Sequence, residues 1–239
     1  MGRAHEVRAA SMAKTAAMKS KLYSRYGKEL YIAAKAGVPD PEMNQALKRK
    51  IAEAKANQVP ADVIKRAIEK AKGGSNESYD SLRYEGFGPG SATIIIDCLT
   101  DNSNRTVAAM NQCFNKSHCK MGVKGSVSFN YDNLGVLSFK YDDEDKMLDL
   151  LINADVNVED IEVEDGEMTV YTDPTDLHKA QEAIENELGE IEFAVCAIKM
   201  LPQEYVTLED ENDKEMWNRL LRLLEEVDDV QEVFHNVIE

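Results

Sequence analysis

From Gly135 to about residue 200 the apolar residues alternate between strand spacing and helix spacing, and that succession limits the fold more than any other feature. A strand-like stretch, VLSFKY, precedes a helical one over 145–153 and a strand over 156–163. A turn at Glu164-Asp165-Gly166 leads to the strand MTVYT, a helix over 174–187 and a strand over 191–200. Strand, helix, strand, strand, helix, strand is the order of a ferredoxin-like unit, an antiparallel sheet with both helices on one face.

Ahead of this unit the chain predicts three short amphipathic helices. Leu22, Tyr26, Leu30 and Ala33 recur three and four residues apart until Gly37 and Pro39 stop the run. Asp40 is placed to cap a second helix, with Pro41 in its first turn and an apolar stripe of Met43, Leu47, Ile51 and Ala54. Pro60 opens a third, whose buried face is Val63, Ile64, Ala67, Ile68 and Ala71 and whose end is Gly73-Gly74. The small polar run GGSNES, 73–78, reads as a linker.

Next, Gly86-Phe87-Gly88-Pro89-Gly90 turns into a strand near 92–99, and Asp101-Asn102-Ser103 cap a helix with Val107, Met110 and Phe114 as its apolar positions. Gly122 and Gly125 mark a turn into a strand SVSFNY, and Asn133 with Gly135 break it. After Pro202 come a short strand YVTL, an acidic helix bearing Trp217, Leu220, Leu221 and Leu224, and a strand VQEVFHNV; these return to complete the earlier sheet. The fold class is therefore α+β: a three-helix basic bundle (1–75), an α/β domain (79–132 plus 203–239), and a ferredoxin-like βαββαβ domain (133–202) inserted into it.

Charge is distributed unevenly. The net charge is -16, yet residues 1–72 hold sixteen Lys or Arg against seven Asp or Glu, a surplus of nine positive charges, and the remainder carries -25. Such asymmetry fits a polyanion-facing arm on an acidic body. Arg3, Arg8, Lys14, Lys19, Lys21, Arg25, Lys28, Lys48, Arg49, Lys55, Lys65 and Arg66 are the candidate nucleic-acid contacts, and Arg105, at a helix start, joins them. The bland reading of the same bases is a solvated helix surface.

Other chemistry finds little support. Cys98, Cys113, Cys119 and Cys196 are irregularly spaced, and Cys113, His118 and Cys119 lack the paired spacing of a zinc site. His178 and His235 have no nucleophile pattern near them, and the acidic runs at 142–145, 209–213 and 225–229 lack calcium-loop spacing. The 86–90 loop either approaches a nucleic-acid backbone or simply makes a tight turn; it is not a dinucleotide fingerprint, wanting a third glycine and a preceding strand. No apolar run approaches the roughly 18–20 residues that cross a bilayer, and no apolar signal segment opens the chain. The expectations are a cytoplasmic protein that is not an enzyme, with no metal, cofactor, membrane or small-molecule substrate, and with a monomer favoured.

Several stretches resemble the YebC/PmpR family of probable transcriptional regulators, and more narrowly its YeeN-like branch: YIAAKAGVPDPEMNQALKRKIAEAKANQVPADVIKRAIEKAKGG, RYEGFGPG, DCLTDNSNRT, GSVSFNYDNLGV and YTDPTDLHKA. Together they span nearly the whole chain. The resemblance implies three domains around a cleft and a DNA-binding transcription regulator. Its alternative is a ribosome-associated translational activator that binds ribosomal RNA, as described for other members including mitochondrial relatives. That family usually opens with a Gly-His-Ser-Lys-Trp-Ala-like stretch, whereas this chain has Gly2-Arg3-Ala4-His5-Glu6-Val7-Arg8.

Overall fold

A computed structural model describes residues 16–73, 78–189 and 191–238. Within them the chain forms two compact units, one of residues 16–126 with 209–233 and the other of 127–208 with 234–238.

The first unit opens with α1 (Ala16–Lys35), α2 (Gln45–Ala56) and α3 (Ala61–Lys72). Their shared core is Tyr26, Leu30, Tyr31 and Ala34 of α1 against Leu47 and Ala54 of α2 and Ile64, Ala67 and Ala71 of α3, with Val59 between. The stripe expected on α3 is thus the face it buries. The start of α2 differs from expectation. Asp40 accepts from the Glu42 amide and caps only a turn, and Met43 is 73% exposed. Asn44 is the helix cap: its side-chain oxygen accepts from the Leu47 amide, while its amide group donates to the carbonyls of Ala33 and Val38. One side chain therefore closes α1 onto α2. A Cβ at Gly37 would stand 2.9 Å from the Asn44 amide nitrogen, so the glycine keeps that junction open.

The same unit holds a four-stranded sheet in the order β3-β1-β2-β9, where β1 is Asp80–Phe87, β2 Thr93–Thr100, β3 Lys120–Met121 and β9 Val230–His235. α4 (Ser103–Lys116) and α7 (Glu211–Glu225) belong to it, burying Met110 and Phe114, and Trp217, Leu220 and Leu224. A strand does precede the glycine loop, contrary to expectation. The loop still resembles no phosphate cradle, since it joins β1 to β2 as an antiparallel hairpin rather than leading into a helix.

The second unit contains β4 (Tyr131–Lys140), α5 (Glu144–Asn153), β5 (Val158–Glu164), β6 (Glu167–Thr172), α6 (Leu177–Leu188) and β7 (Val195–Pro202). The sheet order is β5-β6-β4-β7, all antiparallel, which is the ferredoxin-like arrangement. α5 and α6 bury Met147, Leu151, Ala180 and Ile184 against Leu137, Phe139, Met168 and Val170. Two local expectations fail here. Residues 128–130 form a short 3-10 turn, not a strand, and β4 runs unbroken through Asn133 and Gly135. Gly135 is a packing glycine, because a Cβ there would meet the Thr172 hydroxyl at 2.6 Å and Leu177 at 3.0 Å. β8 (Val206–Thr207) and β10 (Val237–Ile238) pair in parallel as a separate ribbon. Among the described residues no helix is long and apolar enough to cross a membrane.

Candidate nucleic-acid interface

The expected contacts divide into two groups according to where each side chain ends. Lys21, Arg25 and Lys28 are spaced four and three residues apart, so they share one face of α1. That face is turned inward. The Lys21 ammonium donates to the carbonyls of Leu224 and Glu225, each at 3.2 Å, and satisfies the C-terminal end of α7. Burial lowers its pKa, against the pull of Glu225 and Asp228. Arg25 donates to Glu29 at 2.8 Å and to Glu232 at 2.6 Å. Burial opposes its charge, yet the two carboxylates outweigh burial and hold the guanidinium protonated above its ordinary range. Lys28 donates to the carbonyls of Leu99 and Asp228 and stands 3.5 Å from Asp229.

Arg105 belongs to the same network. It donates to Asp229 at 3.0 and 3.1 Å and to Asp101 at 2.7 Å, although half of its side chain stays exposed. Asn102, as expected, caps α4 by accepting from the Arg105 amide. Asp229 also accepts from the Thr106 hydroxyl at 3.0 Å. Burial alone would raise this carboxyl's pKa, but hydrogen bonds from Arg105 and Thr106, with the Lys28 charge nearby, bring it below the usual aspartate value.

The other group points outward. Lys48, Arg49 and Lys55 on α2 and Lys65 and Arg66 on α3 are exposed. Lys65 and Arg66 face Glu69 and Asp62 one turn away on their own helix, and at more than 60% exposure on both sides such pairs hold a base only weakly. Lys19 is exposed as well, whereas Arg3, Arg8 and Lys14 lie outside the described residues. Exposed Lys35, Lys70 and Lys72, in the last turns of α1 and α3, extend the outward set beyond the sequence list. Lys50 does not, since it pairs with Glu29 and Glu53.

The glycine loop is explained by packing. The Gly88 amide donates to the Ala92 carbonyl, closing the hairpin, and Gly90 takes a left-handed φ of 58°. A Cβ at Gly86 would fall 2.3 Å from the Phe114 ring, and one at Gly88 would fall 2.7 Å from Trp217. Burial pushes the Cys98 thiol up to about 12, and it raises Cys113 and Cys119 as well, so none is poised as a thiolate near neutrality. Among the described residues no three His, Cys, Asp or Glu side chains converge to hold a metal ion.

Two family profiles match the chain: the TACO1/YebC protein N-terminal domain over residues 3–74, and the TACO1/YebC second and third domain over residues 79–237. The chain belongs to the TACO1/YebC family. The two TACO1/YebC matches leave a gap within GGSNES, whose residues 74–77 lie outside those described. A probable transcriptional regulatory protein of Acholeplasma laidlawii is 51% identical over 238 residues, covering 100% of this chain and 98% of that one. A relative of the same name from Alcanivorax borkumensis is 47% identical, with 99% of both chains covered. The crystal structure of a conserved hypothetical protein from Aquifex aeolicus superposes with a TM-score of 0.76 at 32% identity, covering 95% of this chain and 93% of that one.

Proposed function

We propose that this TACO1/YebC member is a non-enzymatic transcription regulator that holds DNA through phosphate contacts from the exposed bases of α2 and α3. The observation that carries this reading is the outward placement of Lys48, Arg49, Lys55, Lys65 and Arg66 on a chain whose net charge is -16. Each phosphate contact releases condensed counterions, and about six of them would make affinity fall on the order of a thousandfold between 50 and 200 mM salt. Contacts of this kind position a nucleic acid without reading its sequence. The relatives' name, probable transcriptional regulatory protein, supplies the regulatory role.

A second reading, a ribosome-associated factor on ribosomal RNA, draws on the same cations. It is favoured by the first turn of α3, Ala61-Asp62-Val63-Ile64, which offers no Arg, Asn or Gln to base edges. Crosslinking the full chain in cells and sequencing both the DNA and the RNA recovered separates the two. Discrete promoter fragments support DNA regulation, a predominance of ribosomal RNA supports the second reading, and recovery of neither removes both.

A further inference from the structure

Between α1 and α3 runs an open groove of about 420 Å³, within the roughly 300 to 1,000 Å³ typical of small-ligand clefts. Its walls carry Tyr23, Tyr31 and Tyr79, its cations are Lys28, Arg66 and Lys70, and among the described residues no carboxylate lines it. In a chain with 44 Asp and Glu against 28 Lys and Arg, that exclusion is informative. Tyr31 and Tyr79 meet edge to face with ring centroids 5.9 Å apart. The Lys70 ammonium stands 5.5 Å from the centre of the Tyr31 ring, and that of Lys28 stands 5.9 Å from that of Tyr79. Aromatic faces beside cations are how proteins hold unstacked bases, because every base has a π-face and every base is followed by a phosphate.

We propose that this groove takes one unpaired nucleotide of a single strand, its base against the half-buried rings of Tyr23 and Tyr79 and its phosphate at Arg66 and Lys70. The proposal rests on the nucleic-acid reading above and extends it, since a base held in a duplex stack cannot enter a groove of this kind. Arg66 would exchange its exposed partner Asp62, now 2.6 Å away, for the phosphate. Such an exposed pair costs little to break.

Gly27 provides the test. It lies within α1, and a Cβ added there meets only Val63 Cγ1 at 4.0 Å, so the helix accepts a larger side chain, which would fill the groove. Leucine also suits a helix better than glycine does. The probe is a single-stranded oligonucleotide of about twelve nucleotides, as RNA and as DNA, with a central 2-aminopurine, compared with a duplex of the same length. With the full chain, the single strand should bind with 2-aminopurine fluorescence quenched by stacking. In Gly27→Leu the quench should disappear and single-strand affinity should fall roughly tenfold, while duplex affinity is unchanged. Tyr23→Leu should behave like Gly27→Leu, and Tyr23→Phe, which keeps the ring, should behave as wild type.

Wild-type affinity and quench in Gly27→Leu, or no quench in the wild type, would overturn the groove while leaving phosphate binding by α2 and α3 standing. Loss of all oligonucleotide binding in the unaltered chain would remove that broader reading as well.

Discussion

Arg105 and Asp229, 124 residues apart in sequence, meet at 3.0 and 3.1 Å, and around that contact α1, α4 and the start of β9 are joined. Lys28 reaches the same carboxylate from α1 and Thr106 reaches it from α4. The Leu99 amide donates to the Asp229 carbonyl, so the residue also aligns β2 with β9.

Replacing Asp229 with Asn should cost about 2 kcal/mol near neutral pH, since charged hydrogen bonds to a nearly buried carboxylate are lost while the cations stay. Its folded pKa lies below the unfolded value of about 3.9, so the stabilisation is complete above that value and disappears as pH falls through the folded one. In urea melts the gap between wild type and Asp229→Asn should be constant from pH 7 to about pH 5 and narrow below about pH 4. A gap that persisted unchanged to pH 2 would show that the carboxylate's charge contributes nothing.

The division between inward and outward cations predicts opposite phenotypes. Arg25→Met leaves Glu29 and Glu232 without their shared partner and should destabilise the chain by about 2 kcal/mol. Reversing Lys48, Arg49, Lys65 and Arg66 to Glu should shift stability by less than about 0.5 kcal/mol per site, because all four are exposed. It should, however, flatten the salt dependence of nucleic-acid binding by about one slope unit per lost contact. Melting curves and affinities at several salt concentrations check both; an unchanged slope would exclude α2 and α3 from the interface.

Gly88→Ala should cost about 1–3 kcal/mol by driving a methyl into Trp217, and Gly86→Ala at least as much against Phe114. Neither should change the affinity of the protein that remains folded. If Gly88→Ala kept full stability but weakened binding, the loop would be a contact surface after all.

Gly135→Ala should destabilise the ferredoxin-like unit by a similar 1–3 kcal/mol, through the Thr172 hydroxyl and Leu177. Hydrogen exchange is the suitable readout: protection should fall along β4, β6 and β7 and stay unchanged in α1 to α3.

What the residues revealed in advance depended on how local the cause was. The α3 stripe and the βαββαβ order follow from periodicity within short windows, and both are present. Met43 misled because Asn44, whose cap is completed by carbonyls at Ala33 and Val38, sets the helix start one residue beyond it. β1 was hidden because Asp80, Ser81 and Arg83 in its first half are exposed, with continuous burial only at Glu85 and Gly86. The SVSFNY alternation has strand period, but its middle, Ser128–Asn130, is a 3-10 turn. Charge counting could not separate Lys21, Arg25 and Lys28 from Lys48 and Arg49, since each of the first three has a partner among residues 224–232, some two hundred positions away.

That long reach has a consequence for biosynthesis. α1 emerges from the ribosome long before the carbonyls and carboxylates of residues 224–232 that receive its cations, and β2 likewise waits for β9. The first unit can therefore close only late in translation, and until then its nascent basic helix and open strand edge are available to any chaperone or polyanion within reach.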